Sequence, residues 1–208
     1  MGQNNDAEEE KKRKSSRQQQ RKWHRILAYA SLRILIGFVI ISFIGVLSYY
    51  LRTPFLFPSI GPTLIAFVHN PKKSENHPLS IILGHTFAAS VAIAMLFLFG
   101  LYGLPSTLQA GFTPLRIAAV SLSMGITGVF EEGTPFFHPP AGATTLVISL
   151  GLMQNASQLA GIAGGVLLVA VAATLYGRFA RLHPLVSTLK VQPAAGGEAS
   201  IGRDASVT

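Results

Sequence analysis

Apolar residues in this chain form four long blocks and two short ones. The long blocks cover residues 26–51, 79–104, 115–130 and 159–179, and the short ones cover 54–68 and 136–153. A transmembrane helix needs about 20 mainly apolar residues, so the long blocks predict spanning helices. The short blocks are interrupted near their beginnings by proline and glycine, and whether they cross decides the topology.

The block pattern repeats. "TPFLFPSIGPTL" from Thr53 and "TPFFHPPAGATT" from Thr134 share Thr, Pro, Phe, Pro, Gly and Thr in register. Upstream, "LRI" at residues 32–34 recurs at 115–117. Downstream, Gly84 falls opposite Gly165 at the same offset as Thr53 and Thr134. These matches indicate two copies of one unit: long span, proline-broken segment, long span.

Proline chemistry predicts the shape of each broken segment. Proline lacks a donor and pushes the preceding residue out of the helical region, so "TPFFHPPAG" should be extended and helix should resume after Gly142. About five extended residues at about 3.3 Å and about ten helical residues at about 1.5 Å together cover the roughly 30 Å hydrocarbon core. Each broken segment is therefore long enough to cross.

Loop charge favours six crossings over four. With six, the loop that holds Lys72 and Lys73 lies on the side of the basic amino terminus, and residues 102–113, which lack Lys and Arg, lie outside. Three crossings per unit is odd, so the second copy is inserted upside down. The predicted fold is an all-α polytopic membrane protein of two three-segment inverted repeats, each with a half-helix in its middle segment.

The domain organisation follows from these blocks. We expect a polar basic cytoplasmic leader, membrane repeat 1, an external loop, membrane repeat 2 and a flexible C-terminal tail, at residues 1–25, 26–104, 105–113, 114–182 and 183–208. The basic run at 11–25 adjoins a span, which favours a juxtamembrane patch over nucleic-acid binding. Because acidic Glu8 to Glu10 argue against a transit peptide, we expect the bacterial inner membrane, with both termini cytoplasmic.

The broken segments predict an anion site. Each half-helix would present unpaired N–H groups and a positive dipole end near the bilayer midplane, which suits a small anion. The candidate binding residues come from both copies of the motif: Ser59, Gly61, Thr63, His138, Pro139, Pro140, Gly142, Thr144 and Thr145. Small residues can instead serve only close helix packing, which is our interpretation of "GIAGG" at 161–165.

Five further residues are candidates for gating or proton coupling. They are His85, Arg33, Arg116, Glu131 and Glu132. His138 either carries a proton or an anion, or stays neutral and caps backbone groups; a packed, structural His85 is favoured over a cavity-facing one. The repeat-related arginines either concentrate anions at the two membrane faces or snorkel to headgroups. The two glutamates, expected in a turn, are solvated by default.

"HPPAGA" at residues 138–143 resembles the signature of the HPP family of integral membrane proteins. "FPSIGPTLIAFVHNP" from Phe57 and "GH" at Gly84-His85 are similar to two more of its stretches. The resemblance covers residues 26–182. It implies four transmembrane helices, where our count is six, and it implies transport, since some plastid members are assigned as nitrite transporters. Some members also carry a fused regulatory domain, which we do not expect here.

The leading hypothesis is a transporter or channel for a small inorganic anion, with nitrite first because of the resemblance. A non-transporting membrane scaffold or sensor is the alternative, and an intramembrane enzyme is less favoured because no catalytic constellation is evident. We expect no cofactor and no metal, since cysteine is absent and the histidines lack ligand spacing. The expected partners are the anion, the lipid bilayer and, through glycine-lined faces, further copies of this chain.

Overall fold

The computed structural model describes residues 2–182, apart from the side chains at residues 2–12, 14, 22, 25 and 26. Within that range the chain is helical and has no strand, which confirms the all-α class. The helices are α1 Gly2–Leu51, α2 Ile60–His69, α3 Pro78–Leu98, α4 Thr107–Ala110, α5 Pro114–Gly133, α6 Ala141–Ser149 and α7 Ala156–Leu182, with a 3-10 turn at Ser74–Asn76. The predicted flexible tail, residues 183–208, lies outside the described residues.

Among the described residues, three helices are long and apolar enough to cross a membrane: Leu27–Leu51 within α1, Pro78–Leu98 and Ala156–Arg181. Helix α5 has the length of a span but a lower mean hydropathy, since Arg116, Glu131 and Glu132 lie near its ends. The apolar block predicted to reach residue 104 ends earlier as a helix, at Leu98. Gly100 and Gly103 follow with φ of 65° and 78°, a left-handed backbone that stops the helix.

Each broken segment leads into a short helix. Residues 53–57 form no regular structure before α2, and α6 follows residues 134–140 in the same way. Helix resumes at Ala141, slightly earlier than predicted, because Pro140 adopts helical φ and ψ of −59° and −20°. Proline is compatible with the first turn of a helix, where its missing N–H is not needed.

The helix contacts occur in related pairs. Helix α1 packs on α2 as α5 packs on α6, and α3 packs on α6 as α7 packs on α2. Contacts of α3 with α5 likewise match those of α7 with α1, and α3 packs directly on α7. Exchanging the first three membrane segments for the last three therefore turns each of these helix pairs into another of them, although α3 contacts α5 and α6 more extensively than α7 contacts α1 and α2.

Glycines let each long helix approach the broken segment of the other repeat. A Cβ at Gly161 would lie 2.7 Å from the carbonyl oxygen of Pro54, and one at Gly165 would overlap the carbonyl oxygen of Phe55. On the other side, a Cβ at Gly84 would lie 3.1 Å from the Cβ of His138. Gly84 and Gly165, which are matched in the sequence repeat, thus have equivalent positions in the packing.

Candidate functional site

Five buried polar side chains meet where the two half-helices begin. Ser59 directly precedes α2, Thr63 and Thr144 lie in the first turns of α2 and α6, His85 projects from α3, and His138 belongs to the second broken segment. Each is at most 1% exposed. The arrangement unites four residues predicted to bind the anion with His85, which was predicted only as a gating or coupling residue. We call these five residues the polar cluster.

His85 joins the two half-helices. Its Nε2 lies 3.1 Å from the hydroxyl of Thr63, and its Nδ1 lies 2.7 Å from the hydroxyl of Thr144. These threonines occupy the same position in the two copies of the motif. Thr144 also contacts the hydroxyl of Ser59 at 2.7 Å, so the half-helices are joined directly as well. His85 is a packed histidine bonded to neighbouring helices, as we favoured from the sequence.

His138 connects the polar cluster to the loop between α2 and α3. Its Nδ1 lies 2.7 Å from the carbonyl oxygen of Glu75, and its Nε2 lies 3.2 Å from the hydroxyl of Thr63. A carbonyl oxygen can only accept, so Nδ1 carries a hydrogen and donates. The partners of the imidazole therefore come from other segments, and not from the freed backbone groups around its own prolines.

Glu131 is buried, and the expectation that it is a solvated carboxylate in a turn is wrong. It lies in the last turn of α5, only 5% exposed, and its Oε2 accepts a hydrogen bond from the backbone N–H of His138. Its Oε1 has no hydrogen-bond partner among the described residues. Glu132 also lies in α5, although its side chain is exposed as expected. One helical position thus separates a carboxylate beside the polar cluster from one at the surface.

The first N–H groups of α6 are not free. Those of Ala141, Gly142 and Ala143 donate to the carbonyl oxygens of residues 138, 139 and 140, at 2.9 to 3.1 Å. The prediction of unpaired N–H groups at this half-helix is therefore wrong, because the Pro139-Pro140 turn supplies acceptors that an extended strand would not. The polar groups that face the cluster are side chains.

The two repeat-related arginines lie at the far ends of the half-helices. Arg116 is 3% exposed and donates to the carbonyl oxygens of Ser149 at 3.2 Å and Pro105 at 3.1 Å. Arg33 is partly exposed, with its Nη1 3.4 Å from Nδ1 of His69. A cation at a helix C-terminus complements the exposed carbonyls and the dipole. Arg116 is therefore an internal cap, and it does not snorkel to headgroups.

Five of the predicted binding residues lie outside the polar cluster. Gly61 lines an apolar groove of about 460 Å³ between α1 and α2. Gly142 faces the methyl group of Met124, and Thr145 is 3.0 Å from the hydroxyl of Thr127 on α5. Pro139 and Pro140 shape the turn before α6 and make no side-chain hydrogen bond, since proline has no side-chain polar atom.

Sequence reasoning missed two positions. Ser48 accepts a hydrogen bond from the backbone N–H of Phe55 at 3.0 Å, and Thr127 pairs with Thr145. A signal existed for Thr127, because Ser123, Thr127 and Glu131 recur at intervals of four, which places polar groups on one face of an otherwise apolar helix. All three side chains are buried.

The polar cluster has the composition of a site for a small ion or a proton. Two imidazoles, three hydroxyls and the adjacent Glu131 carboxylate lie between half-helices and away from solvent. Across the described part of the chain, no group of three or more His, Cys, Asp or Glu residues is arranged to hold a metal ion. Polar and ionisable residues within a membrane domain mark ion pathways and proton relays.

Fold and site together define an integral membrane protein of apolar helices with a buried polar cluster between two half-helices. The family model described as "HPP, transmembrane region" matches residues 22–184, and the chain belongs to this family. Neither the curated proteins nor the solved structures compared with the chain include a significant match.

Proposed function

We propose that this protein is a transporter or channel for a small inorganic anion, with nitrite as the substrate, and that it is not an enzyme. The observation that carries the proposal is the polar cluster: five polar side chains, at most 1% exposed, in a chain of membrane-spanning helices. Burying polar groups in lipid is costly, so a membrane protein retains them where they serve an ion path. Nitrite is chosen because some HPP members are assigned to its transport.

The anion would bind to side chains of the polar cluster. The hydroxyls of Ser59 and Thr144 can donate to a nitrite oxygen, and His138 in its protonated form would supply the balancing charge. Because both hydroxyls are already hydrogen-bonded at 2.7 Å, binding requires the contact between them to open. Neutral donors hold an anion weakly enough for release, which transport requires.

Glu131 supports an anion position beside α6. Its carboxylate already accepts from the backbone N–H of His138, and a nitrite ion offers the same two-oxygen acceptor. An anion could take that position only when Glu131 is protonated or has moved away, since two adjacent negative charges repel each other. Glu131 is thus proposed as a gate that competes with the substrate.

The paired helix contacts support an inverted repeat. Two units whose helix pairs correspond in this way, each with an odd number of crossings, would be antiparallel in the membrane. The polar cluster would then lie near the midplane, where the half-helices begin. We propose the bacterial inner membrane, with both termini and the Lys72–Lys73 loop cytoplasmic.

Cysteine labelling tests this topology directly, because the chain has no native cysteine. Ser74→Cys should react with an impermeant thiol reagent only when the cytoplasmic face is open, and Gln109→Cys in α4 should react from outside. Labelling of Ser74→Cys in intact cells would contradict six crossings.

Nitrite uptake into proteoliposomes tests the function. The protein should accelerate initial uptake over protein-free vesicles when the pH gradient is collapsed and leakage of nitrous acid is subtracted. Thr144→Val, which removes one hydroxyl donor, should reduce uptake about tenfold, equivalent to about 1.4 kcal/mol for one buried hydrogen bond.

Thr174→Val is the matched control. Among the described residues, the Thr174 hydroxyl bonds only to a carbonyl of its own helix, that of Ala170 at 2.8 Å, and it lies outside the polar cluster. This variant should transport as the wild type does. Uptake no faster than in protein-free vesicles would refute nitrite transport.

A further inference from the structure

Three potential hydrogen-bond acceptors surround the hydroxyl of Thr63, which has only one hydrogen to donate. Its oxygen lies 2.9 Å from the carbonyl oxygen of Ser59, 3.1 Å from Nε2 of His85 and 3.2 Å from Nε2 of His138. A hydroxyl has one hydrogen to donate and two lone pairs to accept with. Thr63 can therefore donate a hydrogen bond in at most one of the three contacts. An imidazole to which Thr63 does not donate can be hydrogen-bonded to it only by donating its own Nε2–H.

The protonation state of the histidines decides to which of the three atoms the Thr63 hydroxyl donates. With Nδ1 of His138 donating to Glu75, a neutral His138 leaves Nε2 as an acceptor for the Thr63 hydroxyl. When His138 gains a proton, Nε2 donates to Thr63 instead, and the hydroxyl hydrogen turns to the carbonyl of Ser59 or to Nε2 of His85. Every group around Thr63 is satisfied in the first state when neutral His85 carries its hydrogen on Nε2, and in the second, with the Thr63 hydroxyl donating to His85, when it carries that hydrogen on Nδ1. The two states therefore differ by one proton, one hydroxyl rotation and the tautomer of His85.

We propose that His85 and His138 bind one proton as a pair and exchange it through the hydroxyl of Thr63. In the transfer, the Nε2–H bond of His138 breaks and its proton forms an O–H bond at Thr63. The other O–H bond of Thr63 breaks, and that proton forms the Nε2–H bond of His85, whose Nδ1–H already donates to Thr144. No charge is created, and the imidazolium moves from one ring to the other.

The spacing of the two rings limits the pair to one proton. Their centroids are 5.1 Å apart, so two imidazolium charges would repel each other strongly in a buried site.

Two glutamates lie beside the pair. The carboxylate of Glu131, on α5, accepts from the backbone N–H of His138. Glu75 faces the ring through its carbonyl, while the Glu75 carboxylate pairs with Lys73 at 3.2 Å. Helices α2 and α6 contribute hydroxyls, and no titratable group of α7 hydrogen-bonds to either ring within residues 2–182.

The relay crosses the interface between the two halves of the protein. His138 belongs to the second repeat, whereas Thr63 and His85 belong to the first, so passing the proton changes the hydrogen bonds that hold the half-helices together. Its role as the coupling proton of anion transport rests on the proposed function. Proton sharing itself does not.

Nitrogen NMR of the imidazoles tests the relay without any transport assay. Protein with ¹⁵N-labelled histidine is placed in lipid bilayers and titrated from about pH 8 to about pH 4, around the ordinary imidazole pKa of about 6.5. Signals are assigned with His85→Gln and His138→Gln. We expect the His85 and His138 signals to change together in one step, with signals averaged by exchange between the rings. Separate steps for the two rings, or no protonation of either, would overturn the relay.

Variants at Thr63 sharpen the test. Thr63→Val removes the bridging hydroxyl and should abolish the shared step, whereas Thr63→Ser retains the hydroxyl and should preserve it. Thr174→Val should leave it unchanged. A shared step that persists in folded Thr63→Val would show that Thr63 does not carry the proton. The wild-type titration decides whether the proton is shared even if Thr63→Val does not fold. Its result is independent of nitrite uptake, so failure of the relay and failure of the proposed transport are distinguished.

Discussion

The two broken segments share one framework and differ in chemistry. In each, a side chain near the end of a long helix accepts from a backbone N–H seven residues later: Ser48 from Phe55, and Glu131 from His138. An arginine lies at the far end of each half-helix. At the matched motif position, however, the first segment has Phe57 and the second has His138. The framework is therefore duplicated, while the ionisable groups of the broken segments are confined to the second.

The shared framework explains why the polar cluster is placed between the repeats. Thr63 and Thr144 are matched residues, and His85 contacts both. Phe57 lies against His85 with ring centroids 6.3 Å apart, on the apolar side of the same imidazole. A pair of identical halves would have placed two histidines or two phenylalanines there. Because the halves differ at this position, His85 has a titratable neighbour, His138, and an apolar neighbour, Phe57.

The largest expected effect distinguishes the two matched glycines. Gly165→Ala would drive a Cβ into the backbone of the first segment, whereas Gly84→Ala meets only side-chain atoms, with Oε1 of Glu131 at 3.0 Å and the Cβ of His138 at 3.1 Å. We expect Gly165→Ala to lose about 3 kcal/mol of stability and Gly84→Ala about 1 kcal/mol, within the range for overpacking. Thermal unfolding in detergent measures both. Equal losses would mean that the two segments are equally rigid.

The next effect distinguishes the two arginines. Arg116→Gln removes a buried guanidinium that donates to two carbonyl oxygens, and we expect a loss of about 2 kcal/mol. Arg33→Gln removes a partly exposed group that has a long contact to His69 and also interacts with the hydroxyl of Tyr176, and we expect about 0.5 kcal/mol. The same unfolding assay applies. A larger loss for Arg33→Gln would show that the first half-helix depends more on its cap.

The smallest effect concerns the acceptor of the first segment. Ser48→Ala leaves the N–H of Phe55 without its side-chain partner, and about 1 kcal/mol should be lost in this partly buried setting. Ser90→Ala is the control, because Ser90 is exposed and, within the part of the chain that the structure describes, bonds only to Thr86 of its own helix. If both variants unfold at the wild-type temperature, the contact of Ser48 does not hold the segment.

Much of this framework could be predicted from the sequence. Proline and glycine mark the broken segments because they constrain the backbone locally, and the repeat matches Gly84 with Gly165 and Thr63 with Thr144. Each of these signals depends on near neighbours or on a regular offset. The same reasoning extended the helix predicted for residues 79–104 past Leu98, because the apolar composition continues beyond the point where the glycine conformation ends the helix.

The site was less predictable because its contacts join distant residues. Glu131 was assigned to solvent, since nothing local indicates that its carboxylate meets a backbone N–H seven residues on. The Pro139-Pro140 turn was expected to be extended, although proline also fits the first turn of a helix, and that choice decides whether the N–H groups of α6 are free. Arg116 meets Ser149, 33 positions away, which no spacing rule anticipates.

The most direct test of the central claim, that the second segment supplies the anion-binding charge, is the pH profile of nitrite uptake. Wild-type initial uptake, measured in proteoliposomes without a pH gradient, should rise as pH falls, because protonated His138 attracts the anion. His138→Gln keeps hydrogen-bonding capacity but cannot gain that charge, so the rise should disappear. A wild-type profile in His138→Gln, at normal protein level, would contradict the account and leave His138 as a structural residue.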